Sequence, residues 1–221
     1  MEYVSGGNLQ TLIFNKQLVL DSSMVIKIAM DICAGMSYIH NVNILHCDLA
    51  CRNLLCEVQG TNITVKITDF GLSHVSHSEV YDASRKTVFP IRWSAPEVLT
   101  QQKLSRASDV WSFAVCMWEI LEAKLPYYKL TNPEVVDYVC EQKKLLPQPT
   151  AITYPPATWE IMLKCWNFEP EERPSFDELH DLFSEMEEHS TLGSLTLDNV
   201  LTARRSIYGN RSLVEYPKQQ T

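Results

Sequence analysis

The sequence predicts a mostly helical domain carrying one small β-hairpin. Behind Asp21-Ser22-Ser23, the residues Val25, Ile28, Ala29, Ile32, Met36 and Ile39 recur at three- and four-residue steps, the spacing of an amphipathic helix that ends near His40. The stretch Asp109 to Leu121, DVWSFAVCMWEIL, is apolar on nearly every side, which marks a helix buried all round. Two short apolar runs, Asn53 to Val58 and Thr64 to Thr68, flank Gln59-Gly60-Thr61-Asn62 and read as a hairpin.

The remaining elements follow in order. Asp21 supplies an N-cap for the first long helix. From Asp69 to Pro96 the periodicity disappears and Ser, His, Arg and Pro take over, so a long structureless loop is expected, of the kind that is functional or disordered. Asn132-Pro133-Glu134 opens a further helix with a cap residue and proline at its first position. Another helix is expected through Trp159 to Trp166, and Ser175-Phe176-Asp177-Glu178 is a capping box that starts the last one. Beyond Glu188 the apolar spacing loosens. Residues 189–221 carry four basic and two acidic side chains, which leaves −10 on the preceding body. This tail is expected to be a disordered extension, with Tyr208 and Tyr216 as isolated candidate phosphorylation or docking sites.

Composition narrows the function. With 221 residues, 45% of them hydrophobic and 10% aromatic, the chain can bury the core of one compact domain. A net charge of −8 argues against a nucleic-acid partner, because neutralising phosphates needs clustered Lys and Arg. The start, MEYVSGGNLQ, has neither the basic nor the apolar region of a signal peptide. The apolar run Val110 to Trp118 is shorter than the roughly 20 residues that span a bilayer, so a soluble chain without a transmembrane segment is expected. Seven cysteines with no C-x-x-C pair point to a reducing compartment, hence a cytoplasmic location; attachment to a membrane through a region upstream stays open.

The chemistry is concentrated in residues 44–55, ILHCDLACRNLL. Asp48 is a carboxylate able to accept a hydroxyl proton, and Asn53 lies five residues on. The amide oxygen of Asn53 and a carboxylate oxygen of Asp69, in Asp69-Phe70-Gly71, suit a hard cation such as Mg²⁺. A second pattern, His46, Cys47, Cys51 and Cys56, has spacing tight enough for zinc, but no second ligand pair follows it. Cys33, Cys116, Cys140 and Cys165 sit in apolar helical contexts and read as core, as do the five tryptophans. Gly6-Gly7 reads as a turn device and not as a phosphate-binding loop.

In this order the motifs closely resemble the C-terminal lobe of a protein kinase of the tyrosine-kinase group, with His-Cys-Asp in place of His-Arg-Asp. The ordered set is Glu2-Tyr3-Val4 like a hinge, the loop at 44–55, Asp69-Phe70-Gly71, Ala95-Pro96-Glu97, Asp109 in the buried helix, and Arg173 in EERPSF. The resemblance spans residues 1–188 and implies a mainly helical lobe with a small hairpin. It implies ATP and Mg²⁺, with Asp48 as proton acceptor, Arg52 as charge stabiliser, and Asn53 and Asp69 as metal ligands. Glu2, Val4, Asn8 and Leu55 would bind ATP, with the Val4 backbone and Leu55 touching the adenine and Asn8 bordering the ribose. His46 would pack against Phe70, Asp109 would brace the catalytic loop from beneath, and Glu97 with Arg173 would form a buried ion pair.

The resemblance also bears on the acceptor. Ala50 stands two residues after Asp48, where serine/threonine kinases place a lysine, and Arg52 stands four after it; Pro90-Ile91-Arg92-Trp93 also looks like the tyrosine-kinase form. Protein tyrosines are thus the expected substrates. Cys47 cannot imitate the bidentate grip of the family's arginine on a phosphorylated activation-loop residue, here Tyr81, which leaves Arg85 and Arg92 as candidate phosphate partners. Met1 falls where the family places its gatekeeper residue, so the glycine-rich loop, strand lysine and helix glutamate of the N-terminal β-lobe are absent from this chain, and a fragment of a two-lobed kinase is expected. Two alternatives stay open: a docking lobe without catalysis, and a serine/threonine kinase within the tyrosine-kinase-like relatives.

Overall fold

Asn8 turns the chain into its first helix by accepting the Thr11 N–H at 3.1 Å, which starts α1 (Leu9–Phe14). The computed structural model describes residues 6–60, 62–76, 80–83 and 89–190. Asp21 caps α2 (Ser22–Asn41) in the same way, accepting from Met24 N–H at 2.9 Å. The periodic residues of α2, Val25 to Met36, are buried against the last helix, Phe176–Ser190, and the strand Asn62–Ile67. This helix is long and apolar enough, by length and composition, to cross a membrane; here its apolar stripe is used in the core.

Strand β1 (Ile44–Leu45) leads through a 3₁₀ turn at Cys51–Asn53 into β2 (Leu54–Gln59), which pairs antiparallel with β3 (Asn62–Ile67) from Leu54↔Ile67 to Gln59↔Asn62. Asp31 of α2 ties the hairpin down by accepting the Val65 N–H at 2.8 Å. Gly6 lies against the outer strand, where an added Cβ would collide with the Cys56 carbonyl, and the Cys56 N–H bonds Gly7 O at 2.9 Å. Only glycine allows that approach.

The stretch from Asp69 to Pro96 is not structureless, contrary to the sequence expectation. It contains β4 (His74–Val75), paired with β1, and β5 (Val80–Asp82), paired with β6 (Lys103–Ser105), with α3 (Pro96–Gln101) lying between β5 and β6. Strands of two or three residues carry no period-two signal; they are held by partners distant in sequence.

Helix α4 (Arg106–Glu122) starts at a reciprocal cap between Ser105 and Ser108 and buries every residue from Ser108 to Leu121. It is followed by α5 (Asn132–Val136), whose N-cap is Thr131 paired with Glu134, one residue before the expected Asn132. A π turn at Asp137–Glu141 separates α5 from α6 (Pro156–Cys165). The last helix, α7 (Phe176–Ser190), begins where the Ser175 N–H and hydroxyl both donate to Glu178 Oε2, at 2.9 and 3.0 Å. Phe113 of α4 meets Phe176 and Phe183 of α7 edge-on, and Trp111 meets Trp166 and Phe168. Helix α4 therefore packs through its aromatic rings against α7 on one side and the end of α6 on the other. Cys33, Cys116 and Cys165 are fully buried, whereas Cys140 and Trp159 are only half-buried. Of the expected tail, the part from residue 191, with Tyr208 and Tyr216, lies outside the described residues.

Glu97 at the start of α3 and Arg173 before α7 join through two parallel bonds, Nη1–Oε1 at 2.7 Å and Nη2–Oε2 at 2.9 Å. The guanidinium also donates to the carbonyls of Asn167 and Ala107 and lies 5.1 Å from the centre of the Trp111 ring. Glu97→Gln is expected to cost about 3–5 kcal/mol of unfolding free energy, because Arg173 then holds a buried charge without its counter-ion. Urea unfolding followed by circular dichroism measures this, and a loss below about 1 kcal/mol would contradict it.

Candidate active site

The loop after β1 is shaped by one carboxylate beneath it. Asp109, 1% exposed on α4, accepts from His46 N–H and Cys47 N–H at 2.9 Å each, and its Oδ2 lies 2.9 Å from His40 Nε2. These bonds hold Cys47 at φ 64, a left-handed backbone that a non-glycine residue adopts only when its surroundings enforce it.

His46 is fully buried and faces two ways. Its Nδ1 accepts the Asp48 N–H at 3.2 Å and its Nε2 meets Thr68 O at 3.2 Å, a pairing satisfied by the Nε2–H tautomer. Its ring lies 5.2 Å from that of Phe70, which is half exposed.

Asp48 is 9% exposed and its two carboxylate oxygens are separately engaged. Arg52 Nη2 donates to Oδ1, and Asn53 Nδ2 donates to Oδ2 at 2.9 Å and to the Asp48 carbonyl at 2.7 Å. With its nitrogen committed to Asp48, the Asn53 amide has its oxygen to offer a cation. Thr68, immediately before Asp69, donates through N–H and hydroxyl to the Asn53 carbonyl at 2.9 and 3.2 Å, which draws Asp69 towards Asn53. Asp69 is exposed, stands at φ 62, and accepts the Gly71 N–H at 3.2 Å. An amide oxygen and a carboxylate oxygen are the donor types that fit Mg²⁺. Among the described residues no three His, Cys, Asp or Glu side chains form a metal site, so the zinc alternative finds no support.

Asn8 is more committed than the sequence suggested, since its oxygen caps α1 and its Nδ2 donates to Arg52 O. It also bridges to Leu55, which is half-buried. Glu2 and Val4 lie outside the described residues.

Cys47 and Tyr81 share a neighbour. Burial foremost, then the Asp109 and Asp48 carboxylates, push the Cys47 thiol pKa far up, and the His74 N–H bonds the sulfur. The His74 ring stacks on Tyr81 at 4.7 Å and 21°, and Tyr81 pairs with Leu104 on β6. Arg92 is not the free phosphate partner the sequence suggested. It donates to the carbonyls of Pro126, Tyr127 and Leu130 at 2.9, 2.6 and 2.6 Å, fastening the segment after α4 to its own turn. Arg85 lies outside the described residues.

The sequence reading missed three participants. Trp93 lies beneath Arg52, whose guanidinium carbon is 4.3 Å from the ring centre. Glu119, fully buried on α4, accepts from Cys51 N–H and Trp93 Nε1–H at 3.0 Å each and from Gln10 Nε2 at 2.5 Å. A signal for Glu119 existed: an acidic residue in a helix apolar on all sides must be paired.

Comparison with known proteins agrees with this geometry. The family model "protein tyrosine and serine/threonine kinase" matches residues 1–183. The chain is similar to tyrosine-protein kinase Fer of Mus musculus, 38% identical over 181 residues, which is 81% of this chain and 21% of that protein. It is also similar to tyrosine-protein kinase TXK of Homo sapiens, 38% identical over 188 residues, 85% of this chain and 34% of that protein. Ephrin type-A receptor 5 of Homo sapiens is 35% identical over 188 residues, 84% of this chain and 18% of that protein. The chain thus spans about a fifth to a third of the length of these curated relatives. With an acid, a guanidinium and an amide locked together on a carboxylate-braced loop, and with this match along its length, the chain belongs to the protein tyrosine and serine/threonine kinase family.

Proposed function

We propose that residues 1–188 are the hinge and C-terminal lobe of a protein-tyrosine kinase domain that transfers the γ-phosphoryl group of ATP to tyrosine hydroxyls. The observation that carries this reading is the Asp48, Arg52 and Trp93 arrangement, in which the cation four residues after the acid is joined to it and lies over an indole. A phenol hydroxyl stands farther from the peptide backbone than a serine hydroxyl, so the cation that serves it must be relocated, and Arg52 on Trp93 is such a relocated cation.

The chemistry balances on this chain's own groups. The acceptor O–H gives its proton to the Asp48 carboxylate while its oxygen forms the new bond to phosphorus. The bond from phosphorus to the bridging oxygen breaks, and ADP leaves with that electron pair. A carboxylate has lone pairs beyond the two used by Arg52 and Asn53, so the acceptor has a place to dock. Arg52 stabilises charge beside the transferred group, and positioning of this kind supplies most of the catalysis in phosphoryl transfer. Asn53 and Asp69 would hold Mg²⁺, which neutralises phosphate charge when bound. The proposed location is cytoplasmic.

The test is transfer from ATP to a mixed Tyr/Ser peptide pool, by the 221-residue chain and by the chain joined to the N-terminal lobe of one of the kinases it is similar to. Phosphotyrosine is expected from the joined form, falling about 10²–10⁴-fold in its Asp48→Asn variant. Phosphoserine instead would transfer the chain to the serine/threonine reading, and a folded protein that binds no nucleotide in either form would be a docking lobe.

A second expectation concerns Cys47. Its neutral, half-buried thiol offers a phosphate on Tyr81 no bidentate partner, and Arg92 is already engaged. Phosphorylation at Tyr81 is therefore expected to raise activity less in this protein than in Cys47→Arg. Comparing rates before and after phosphorylation decides it, and equal gains in the two proteins would refute it.

A further inference from the structure

Glu119 is an expensive residue for its place. A buried carboxylate is costly to desolvate, and a leucine of similar size would pack at lower cost. Burial is the first influence on its pKa and raises it; the Cys51, Trp93 and Gln10 bonds and the Arg52 charge pull the other way. What the carboxylate provides is connection. A single oxygen, Oε2, takes the N–H of Cys51, the residue directly before Arg52, and also the indole N–H of Trp93, the ring on which Arg52 lies. Both halves of the cation–ring pair are set from one atom, while Oε1 anchors Gln10 of α1.

We infer that Glu119 is the positioning residue for the acceptor side of the site: it fixes Arg52 and Trp93 relative to each other and so aligns the peptide that presents its hydroxyl to Asp48. This rests on the tyrosine-kinase reading. Glu119 touches neither nucleotide nor acceptor, and its effect passes through two bonds to a pair 4.3 Å apart. Asp109 sets the entrance of the loop at His46 and Cys47; Glu119 sets its exit at Cys51.

Chemistry supplies a clean pair of variants. In Glu119→Gln the amide oxygen can take the Oε2 position and keep both N–H donors, while its nitrogen faces Gln10, whose amide turns to offer oxygen. In Glu119→Leu the shape remains and every acceptor is lost. Trp93→Phe keeps a ring under Arg52 but removes the indole tether, and covers the case in which Glu119→Leu fails to fold.

Two readouts separate positioning from plain stability. The first is the ring-current shift of the Arg52 side chain by NMR in the 221-residue chain, with Glu97→Gln as a destabilised control. The shift is expected to collapse in Glu119→Leu, weaken in Trp93→Phe, recover in Glu119→Gln and persist in the control. Persistence in Glu119→Leu and Trp93→Phe would overturn the inference. The second is kinetics of the joined form. Peptide KM is expected to rise at least about tenfold in Glu119→Leu with ATP KM unchanged, and a parallel rise in both would reduce Glu119 to a structural role. Wild-type protein that transfers no phosphate while its Arg52 shift behaves as expected would defeat the kinase reading and leave the positioning intact. Wild-type protein that transfers phosphate with peptide KM unmoved by Glu119→Leu would do the reverse.

Discussion

The structure depends on a buried carboxylate receiving N–H groups from a loop that could not otherwise hold its shape. Asp109 is nearly inaccessible, and it is solvated by the chain itself: two backbone amides and the His40 ring replace the water it lost. Helix α4 carries a second such post at Glu119, ten residues on and therefore about 15 Å along the axis. Between the two posts runs the loop with Asp48 at its crest. Because α4 is apolar all round, it cannot slide or rotate without exposing core, and so the posts stay fixed. The rigidity of the helix becomes the geometry of the site.

What could be read in the sequence was what repeats or what has a local signature. Helix α2 announced itself by its three- and four-residue spacing, α4 by its unbroken apolarity, the hairpin by its two runs and α7 by its capping box. The strands β4, β5 and β6 carried no such signal, since two or three residues have no period and their stability comes from partners elsewhere in the chain. The start of α5 illustrates a competing cue: proline drew attention to Asn132, while the reciprocal cap between Thr131 and Glu134 was equally present in the sequence.

The site divides along the same line. Asp48, Arg52 and Asn53 lie within six residues, so their association was legible, and the structure brings them into hydrogen-bond contact. Trp93, Glu119 and Gln10 join them from segments 26 to 109 residues apart, and no local pattern records such a meeting. Arg92 shows the opposite error. Its charge suggested an external phosphate, whereas three carbonyls of the segment after α4 already use its donors. A cation in a sequence is a capacity; only packing says where it is spent.

Cys47 shows how main chain and side chain of one residue can serve different partners. The loop is shaped by the backbone N–H of position 47 and by a left-handed turn whose strain is met by Asp109, and neither depends on the side chain. The half-buried thiol receives the His74 N–H and so adds a separate tie from the loop to β4. Position 47 thus builds the loop through its main chain, by an N–H that every residue except proline carries, and the architecture beneath it is secured before the side chain is considered.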